Sequence, residues 1–301
     1  MPVAHSPGPL PDGADYLTKA RYAEAEETIM QQATRQTYLH GYSDEHRAFL
    51  ASRTAARDAA FFVPYLKRGM RLLDCGCGMG ALTVSLAEVV APGEVTGIDW
   101  EPSQIDAAQA WAAERGATNV RFQTGSIYDL PFPDGSFDAV FANTVLEHTS
   151  DPQRIIREMY RVLAPGGVAG VCDPDYATLI HAPATPLSDE GMSLMLKVDE
   201  HNGGSLYYAR HQRSYLIEAG FARTEGFAQA GADGSLEGTR AAFDLVIKPT
   251  FRAPGFESTA IELGWADRDR LDAIVAELEA WSRREDAFFA LIQCAAIGWK
   301  E

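Results

Sequence analysis

From residue 70 onward, short apolar runs ending in an acid or a small residue alternate with longer stretches whose apolar positions recur every three or four residues. That alternation predicts strands and helices in turn, and hence a mostly parallel sheet covered on both faces. MRLLDCG reads as the first strand and ALTVSLAEVV as the helix after it. EVTGIDW is the second strand, followed by the helix PSQIDAAQAWAAERG with Pro102 at its start. VRFQTGS and FDAVFANTV are the third and fourth, DPQRIIREMYRVL the next helix and GGVAGVCDPD the fifth strand. RHQRSYLIEAG is a helix closed by Gly220. FARTEGFAQ and, at the C-terminus, AFFALIQCAAIGWK complete the set.

Two stretches break the rhythm, and they set the expected organisation. Residues 1–60 are read as a Pro- and Gly-rich tail followed by lid helices, with Ser43 as an N-cap. The core is placed at 61–175 and resumes at 210–232 and 286–301. A first lid insertion falls at 176–209, and a second, helical one at 233–285.

Composition narrows the function classes. With 301 residues, 46% of them hydrophobic, the chain can bury a large core without disulfides or a structural metal. A formal net charge of −16 disfavours a nucleic-acid partner, which needs clustered Lys and Arg, and favours a small-molecule substrate. The N-terminus has no basic and apolar signal-peptide pattern, and no apolar run approaches the ~18 residues of a membrane span. The four cysteines show no disulfide spacing, so a reduced, cytoplasmic protein without a membrane partner is expected.

The chemistry concentrates after the first strand. Asp74 ends the apolar run, and Gly76, Gly78 and Gly80 follow at alternate positions. Such a loop lets a ligand lie against backbone N–H groups at a helix N-terminus. Ala81 also completes the dinucleotide spacing G-x-G-x-x-A, and Asp99, about 20 residues on, suits a ribose in either ligand class. The loop and the acid leave a dinucleotide site and an adenosyl-sulfonium site both open.

The segments GSIYDLPFPDGSFDAVFANTVLEH and RVLAPGGVAGV discriminate. With them in place, residues 65–175 resemble the class I S-adenosylmethionine-dependent methyltransferases, especially those acting on small molecules. The resemblance implies a Rossmann-like, doubly wound, seven-stranded α/β fold and S-adenosyl-L-methionine as cofactor. It places Asp74, Gly76, Gly78 and Gly80 at the methionine part, Asp99 at the ribose, and Ser126 and Ile127 at the adenine. Gly125–Ser126 stands where the family often has an acid. Trp100 offers a flat face to the adenine's other side, and the backbone of Asn143 is expected near the methionine moiety. Tyr38, with Tyr42 and Arg53, is expected to fold over the cofactor.

Methyl transfer is governed by alignment, and a base is needed only for a protonated acceptor. Candidates for such help are His148, beside Glu147, and Asp173 and Tyr176 just after the fifth strand. His201, Tyr207 and Tyr208 are the substrate-binding candidates, with Arg210 beside them. Cys75 and Cys77, one residue apart inside the glycine loop, do not read as metal ligands. The aromatic and apolar content of the lid segments points to a largely apolar or aromatic acceptor, a natural product or quinone-like ring. The acidic segment 266–284 fits either a lid or a dimer interface, so a homodimer stays open. The rival readings are a protein methyltransferase, a nicotinamide-dependent oxidoreductase, and a relative that has lost methyl transfer.

Overall fold

The computed structural model describes residues 44–204 and 206–301. Strands β1 (Leu72–Cys75), β2 (Val95–Asp99), β3 (Val120–Thr124), β4 (Phe137–Asn143), β5 (Leu163–Ala182), β6 (Arg223–Asp233) and β7 (Phe288–Trp299) form one sheet in the order β3-β2-β1-β4-β5-β7-β6. The first five are parallel, and β7 runs antiparallel to both β5 and β6. Strand order reverses at β1, whose neighbours are β2 and β4. In an open α/β sheet, that reversal leaves a crevice outside the strand carboxyl ends.

Ahead of the sheet lie α1 (Asp44–Ala51) and α2 (Ala55–Asp58); α3 (Ala81–Val90) and α4 (Pro102–Glu114) follow β1 and β2. Helix α5 (Pro152–Val162) follows β4, and α7 (Gln212–Ala219) precedes β6. All four β1 residues are buried, as a strand covered on both faces requires. One face packs Ile155, Ile156 and Met159 of α5 with Leu216 of α7. The other packs Leu82 and Leu86 of α3 with Phe62 and Phe141, whose rings stack 5.2 Å apart.

The boundary after the fifth strand differs from the sequence reading. GGVAGVCDPD predicts a strand ending at residue 175, whereas β5 continues to Ala182, paired with β7 as far as Ala182↔Phe288. The first insertion therefore begins as strand, then turns into α6 (Pro186–His201) through a capping box at Thr185 and Ser188.

Between β6 and β7 run α8 (Leu236–Ala242), a π-helical turn (Phe243–Ile247), α9 (Lys248–Arg252), α10 (Pro254–Glu262) and α11 (Arg268–Ser282). Both insertions share one apolar core. Met195 and Val198 of α6 pack in the same cluster as Phe243, Phe251, Ile274 and Trp281. Gly191 of α6 leaves room for α11; a Cβ there would stand 2.5 Å from Ile274 Cγ2. Trp281 Nε1 donates to Ala182 O at 3.0 Å, and Thr185 Oγ1 to Glu277 Oε1 at 2.7 Å. Much of the aromatic content that suggests an apolar ligand thus packs the two insertions against each other.

Candidate functional site

The glycine loop turns back at the end of β1, where Gly76 N–H donates to Ile98 O at 2.8 Å. Packing explains two of its three glycines. A Cβ on Gly76 would stand 2.5 Å from Val145 Cγ2, and one on Gly80 would stand 2.8 Å from Ala108 Cβ. Gly78 is different: a Cβ there meets only Leu50 and Gln104, at 3.9 and 4.0 Å. Its φ of +50° is the left-handed conformation that favours glycine, and it is the loop position with space before it.

Asp99 closes β2 beside that space. Its Oδ2 accepts Gly78 N–H at 2.8 Å and its Oδ1 accepts Glu101 N–H at 3.1 Å. Burial raises its pKa, and the backbone donors oppose the rise. Gly125 N–H donates to Asp99 O at 2.9 Å. The start of the loop carrying Ser126 and Ile127 is thereby tied to the acid expected to hold a ribose. Ser126 is exposed, its hydroxyl accepting Tyr128 N–H, and Ile127 packs at the edge of the core. Trp100 is 51% exposed, as a residue presenting a flat face to a ligand would be. Asp74 is placed otherwise: it is buried, accepts Thr83 Oγ1–H at 2.6 Å, and is raised to about 6 by desolvation. It ties β1 to α3.

At the end of β4, Asn143 Oδ1 accepts from Arg53 Nη1 at 3.1 Å, and Thr144 Oγ1 accepts from Arg53 Nη2 at 2.9 Å. Thr144 sits at φ +57°, a strained setting for a β-branched residue. Such settings cluster at functional sites. Arg53 and Leu50 bring the segment around α1 onto the crevice. Tyr38 and Tyr42 lie outside the described residues.

The three expected catalytic side chains part company. Asp173 is fully buried, with Oδ1 accepting the N–H groups of Val145 (2.8 Å) and Leu146 (3.1 Å) and Oδ2 accepting from Gln212 Nε2 (2.8 Å). It brackets β5, the loop after β4 and α7, and leaves no face for a substrate. His148 lies between two carboxylates, Nε2 3.1 Å from Glu147 Oε1 and Nδ1 3.8 Å from Asp199 Oδ1 of α6. These acids raise it to about 10 against the opposing effect of burial. Burial likewise pushes Glu147 up to about 7. An imidazolium has no lone pair to take a proton, so the part of neutral histidine base does not suit His148. Tyr176, in β5, is half-buried against the apolar cluster of the two insertions.

This cluster has a pH signature. The folded pKa of His148 lies above the ~6.5 of an unfolded histidine. Its contribution is therefore full below about 6.5 and lost as pH rises through about 10. Glu147, also raised, works in the same direction between the ~4.3 of an unfolded glutamate and about 7. Thermal midpoints are expected to fall from pH 6.5 to 10, and His148→Gln to flatten the fall above pH 7.5. An equally steep fall in that variant would place the titration elsewhere.

The expected substrate residues also separate. Tyr208 is 1% exposed and stacked 5.3 Å from Tyr215, a core residue and no pocket wall. His201 is exposed at the end of α6 and meets Trp265 edge-on at 5.6 Å. Tyr207 is 48% exposed beside Arg210, whose guanidinium forms a bidentate pair with buried Asp175 (2.6 and 2.7 Å).

Two residues the sequence reading passes over belong to the picture. Asp199 carries no local signal, since only α6 packing against the loop after β4 brings it to His148. Gln104 does carry one: with Ile105, Ala108 and Ala112 it lies on the buried stripe of α4, a polar residue where the pattern calls for an apolar one.

A family profile described as a methyltransferase domain matches residues 66–210. An uncharacterized methyltransferase of Schizosaccharomyces pombe is 34% identical over 200 residues, covering 63% of this chain and 70% of its own. The probable methyltransferase ltbC of Aspergillus luteorubrus is 27% identical over 289 residues, covering 87% of this chain and 97% of its own. A demethylmenaquinone methyltransferase of a Geobacillus species is 35% identical over 116 residues, covering 38% of this chain and 50% of its own. Among solved structures, the YcgJ protein of Bacillus subtilis superposes with a TM-score of 0.56 at 22% identity, over 82% of this chain and 99% of its own. That likeness is one of fold.

Proposed function

The chain belongs to the class I S-adenosylmethionine-dependent methyltransferases, and on that premise we propose that it methylates O, N or C of a small, ring-containing molecule. S-adenosylmethionine, when bound, supplies a methyl group already activated by its sulfonium. The chain's own residues then have to hold the donor, align the acceptor and exclude water.

The described residues fit the donor. The observation that carries the reading is the Asp99 carboxylate docked on the N–H of Gly78, the glycine of the loop whose missing side chain is not filled by packing. Asp99 accepts the ribose hydroxyls, Trp100 and Ile127 flank the adenine, and Ser126 offers its edge a hydroxyl. Arg53, with no carboxylate partner among the described residues, presents its charge where β4 ends, next to the expected methionine end. Tyr176 and Tyr207 are the side chains we assign to the acceptor.

Rate on this reading comes from alignment. His148, protonated at neutral pH and held between Glu147 and Asp199, fixes α6 against the loop after β4 and so sets the lid over the crevice. Among the relatives, the demethylmenaquinone methyltransferase supports a small acceptor by the quinone-type substrate in its name. The self-packed lid core narrows the apolar surface left for that acceptor, so a compact ring system suits it better than an extended one.

Calorimetric titration with S-adenosylmethionine, S-adenosylhomocysteine and NADPH tests the donor. Micromolar binding of the first two alone is the expected result, and binding of NADPH alone would overturn it. Release of S-adenosylhomocysteine in the presence of phenols, quinols and small amines tests the acceptor class. Turnover confined to a protein acceptor would sink the small-molecule reading.

A further inference from the structure

The sheet ends in β3 on one side and β6 on the other, and the two edges are built differently. Strand β3 is five residues long and carries Arg121 within it. Strand β6 runs eleven residues, Arg223–Asp233, and stays in register with β7 along its whole length without a bulge. Its outer side has no strand partner among the described residues. At every second residue the N–H and C=O therefore point away from the sheet. Proteins blunt such edges with shortness, charge, proline, a bulge or a covering segment. Residues 226–232 have none of these: they include no charged residue and no proline, and all are exposed. Their side chains are also small. Ala228, Ala230 and Ala232 share one face of the strand, and Phe227, Gln229 and Gly231 the other. An approaching backbone meets little bulk besides the Phe227 ring.

We propose that β6 is a homodimer interface, on which a second copy of this chain lays its own β6 antiparallel about a two-fold axis through Ala228. The order of residues along the strand selects this occupant. About Ala228, Phe227 stands opposite Gln229 of the second copy, Gly226 opposite Ala230, and Thr224 opposite Ala232. Arg223 then stands opposite Asp233, so opposite charges meet at both ends of the pair. An axis one residue further on, through Gln229, sets Glu225 directly opposite Asp233, and like charges so placed are destabilising. An axis through Phe227 sets Arg223 opposite Gly231 and leaves its charge unmatched. The charges thus pick one register out of three. Arg223 is placed to take part: it is exposed, lies over the Trp299 ring at 3.6 Å and stands 3.6 Å from Glu225, a loose surface pair. The strand is complementary to itself, which is what an isologous interface requires. Pairing along all eleven residues supplies about ten backbone hydrogen bonds, the number carried by a typical protein interface. Two seven-stranded sheets become one continuous sheet.

Sedimentation of the full chain over a range of concentrations tests the dimer, and amide hydrogen exchange tests where it forms. Wild type is expected to dimerise with a Kd of about micromolar or tighter. Amides within 226–232 should exchange about tenfold more slowly at high protein concentration than at low. At the axis Ala228 faces its own copy, so a single substitution there meets itself. Ala228→Lys and Ala228→Glu are each expected to weaken the dimer by about 100-fold. An equimolar mixture of the two should recover it, because lysine then faces glutamate. Both changes lie on an exposed strand away from the cofactor crevice, and circular dichroism checks that each variant is folded. Should neither fold, the exchange measurement on wild type decides alone. A wild type that stays monomeric at about 100-fold above micromolar concentration overturns the inference and leaves the edge to another protein's strand or to none. A dimer whose slowed exchange falls on α11 and not on β6 overturns it as well. So do folded variants that dimerise like wild type, or that stay apart when mixed.

Discussion

Asp99→Ala is expected to lower affinity for S-adenosylhomocysteine by about 100-fold or more while leaving the ligand-free protein folded. A hydrogen bond to a charged group contributes about 1.5–3 kcal/mol. Loss of two ribose contacts therefore amounts to about 3–6 kcal/mol, and each 1.4 kcal/mol is about tenfold in binding. The fold has less to lose. Asp99 is held in a mostly buried place that raises its pKa, so its charge costs the ligand-free protein something that the backbone N–H groups of Glu101, Gly78 and Trp100 offset. Asp99→Asn, which keeps one acceptor, should fall between the wild type and Asp99→Ala. Calorimetry and thermal melts on the same samples separate the two effects. Affinity within about threefold of wild type in Asp99→Ala would mean that the ribose is held elsewhere.

Asp173→Ala is expected to have the opposite profile, with stability lost first. Three donors converge on this fully buried carboxylate: the backbone N–H groups of Val145 and Leu146, and the Gln212 amide. Each buried donor left unpaired costs about 1–3 kcal/mol. The sum, about 3–9 kcal/mol, is a large share of the ~5–15 kcal/mol that holds a typical domain together. Asp173→Asn should nevertheless be tolerated to within about 1.5 kcal/mol. Its carbonyl oxygen can keep the two backbone donors, and a turn of the Gln212 amide would offer its Oε1, which has no partner among the described residues, to the new Nδ2. The Asn variant should therefore melt near wild type and keep S-adenosylhomocysteine binding and turnover. A stable Asp173→Asn that binds normally but does not turn over would return Asp173 to the chemistry.

The cofactor half of the site is legible in the chain because its parts are local. An apolar run, three glycines and an acid at the end of the next strand are set by backbone geometry over a few residues, and the structure places Gly78 and Asp99 in contact as that pattern implies. Proximity in sequence misleads where burial decides. Asp173 and Tyr208 look like crevice residues by position, yet one is consumed by three hydrogen bonds and the other is stacked in the core. His148 looks like a base until a carboxylate from α6, some fifty residues on, is brought to its other nitrogen.

Sequence alone determined the alternation of strands and helices, the place of the glycine loop and the family. Each of these follows from side-chain periodicity and short-range spacing. Tertiary structure alone decided that the two insertions share one apolar core, that β5 runs on into the first of them, and that His148 stands between two carboxylates. It also decided that the Gln104 amide is buried with no hydrogen-bond partner among the described residues. Those outcomes depend on which side chains lose their water together, and that is settled only when distant segments meet.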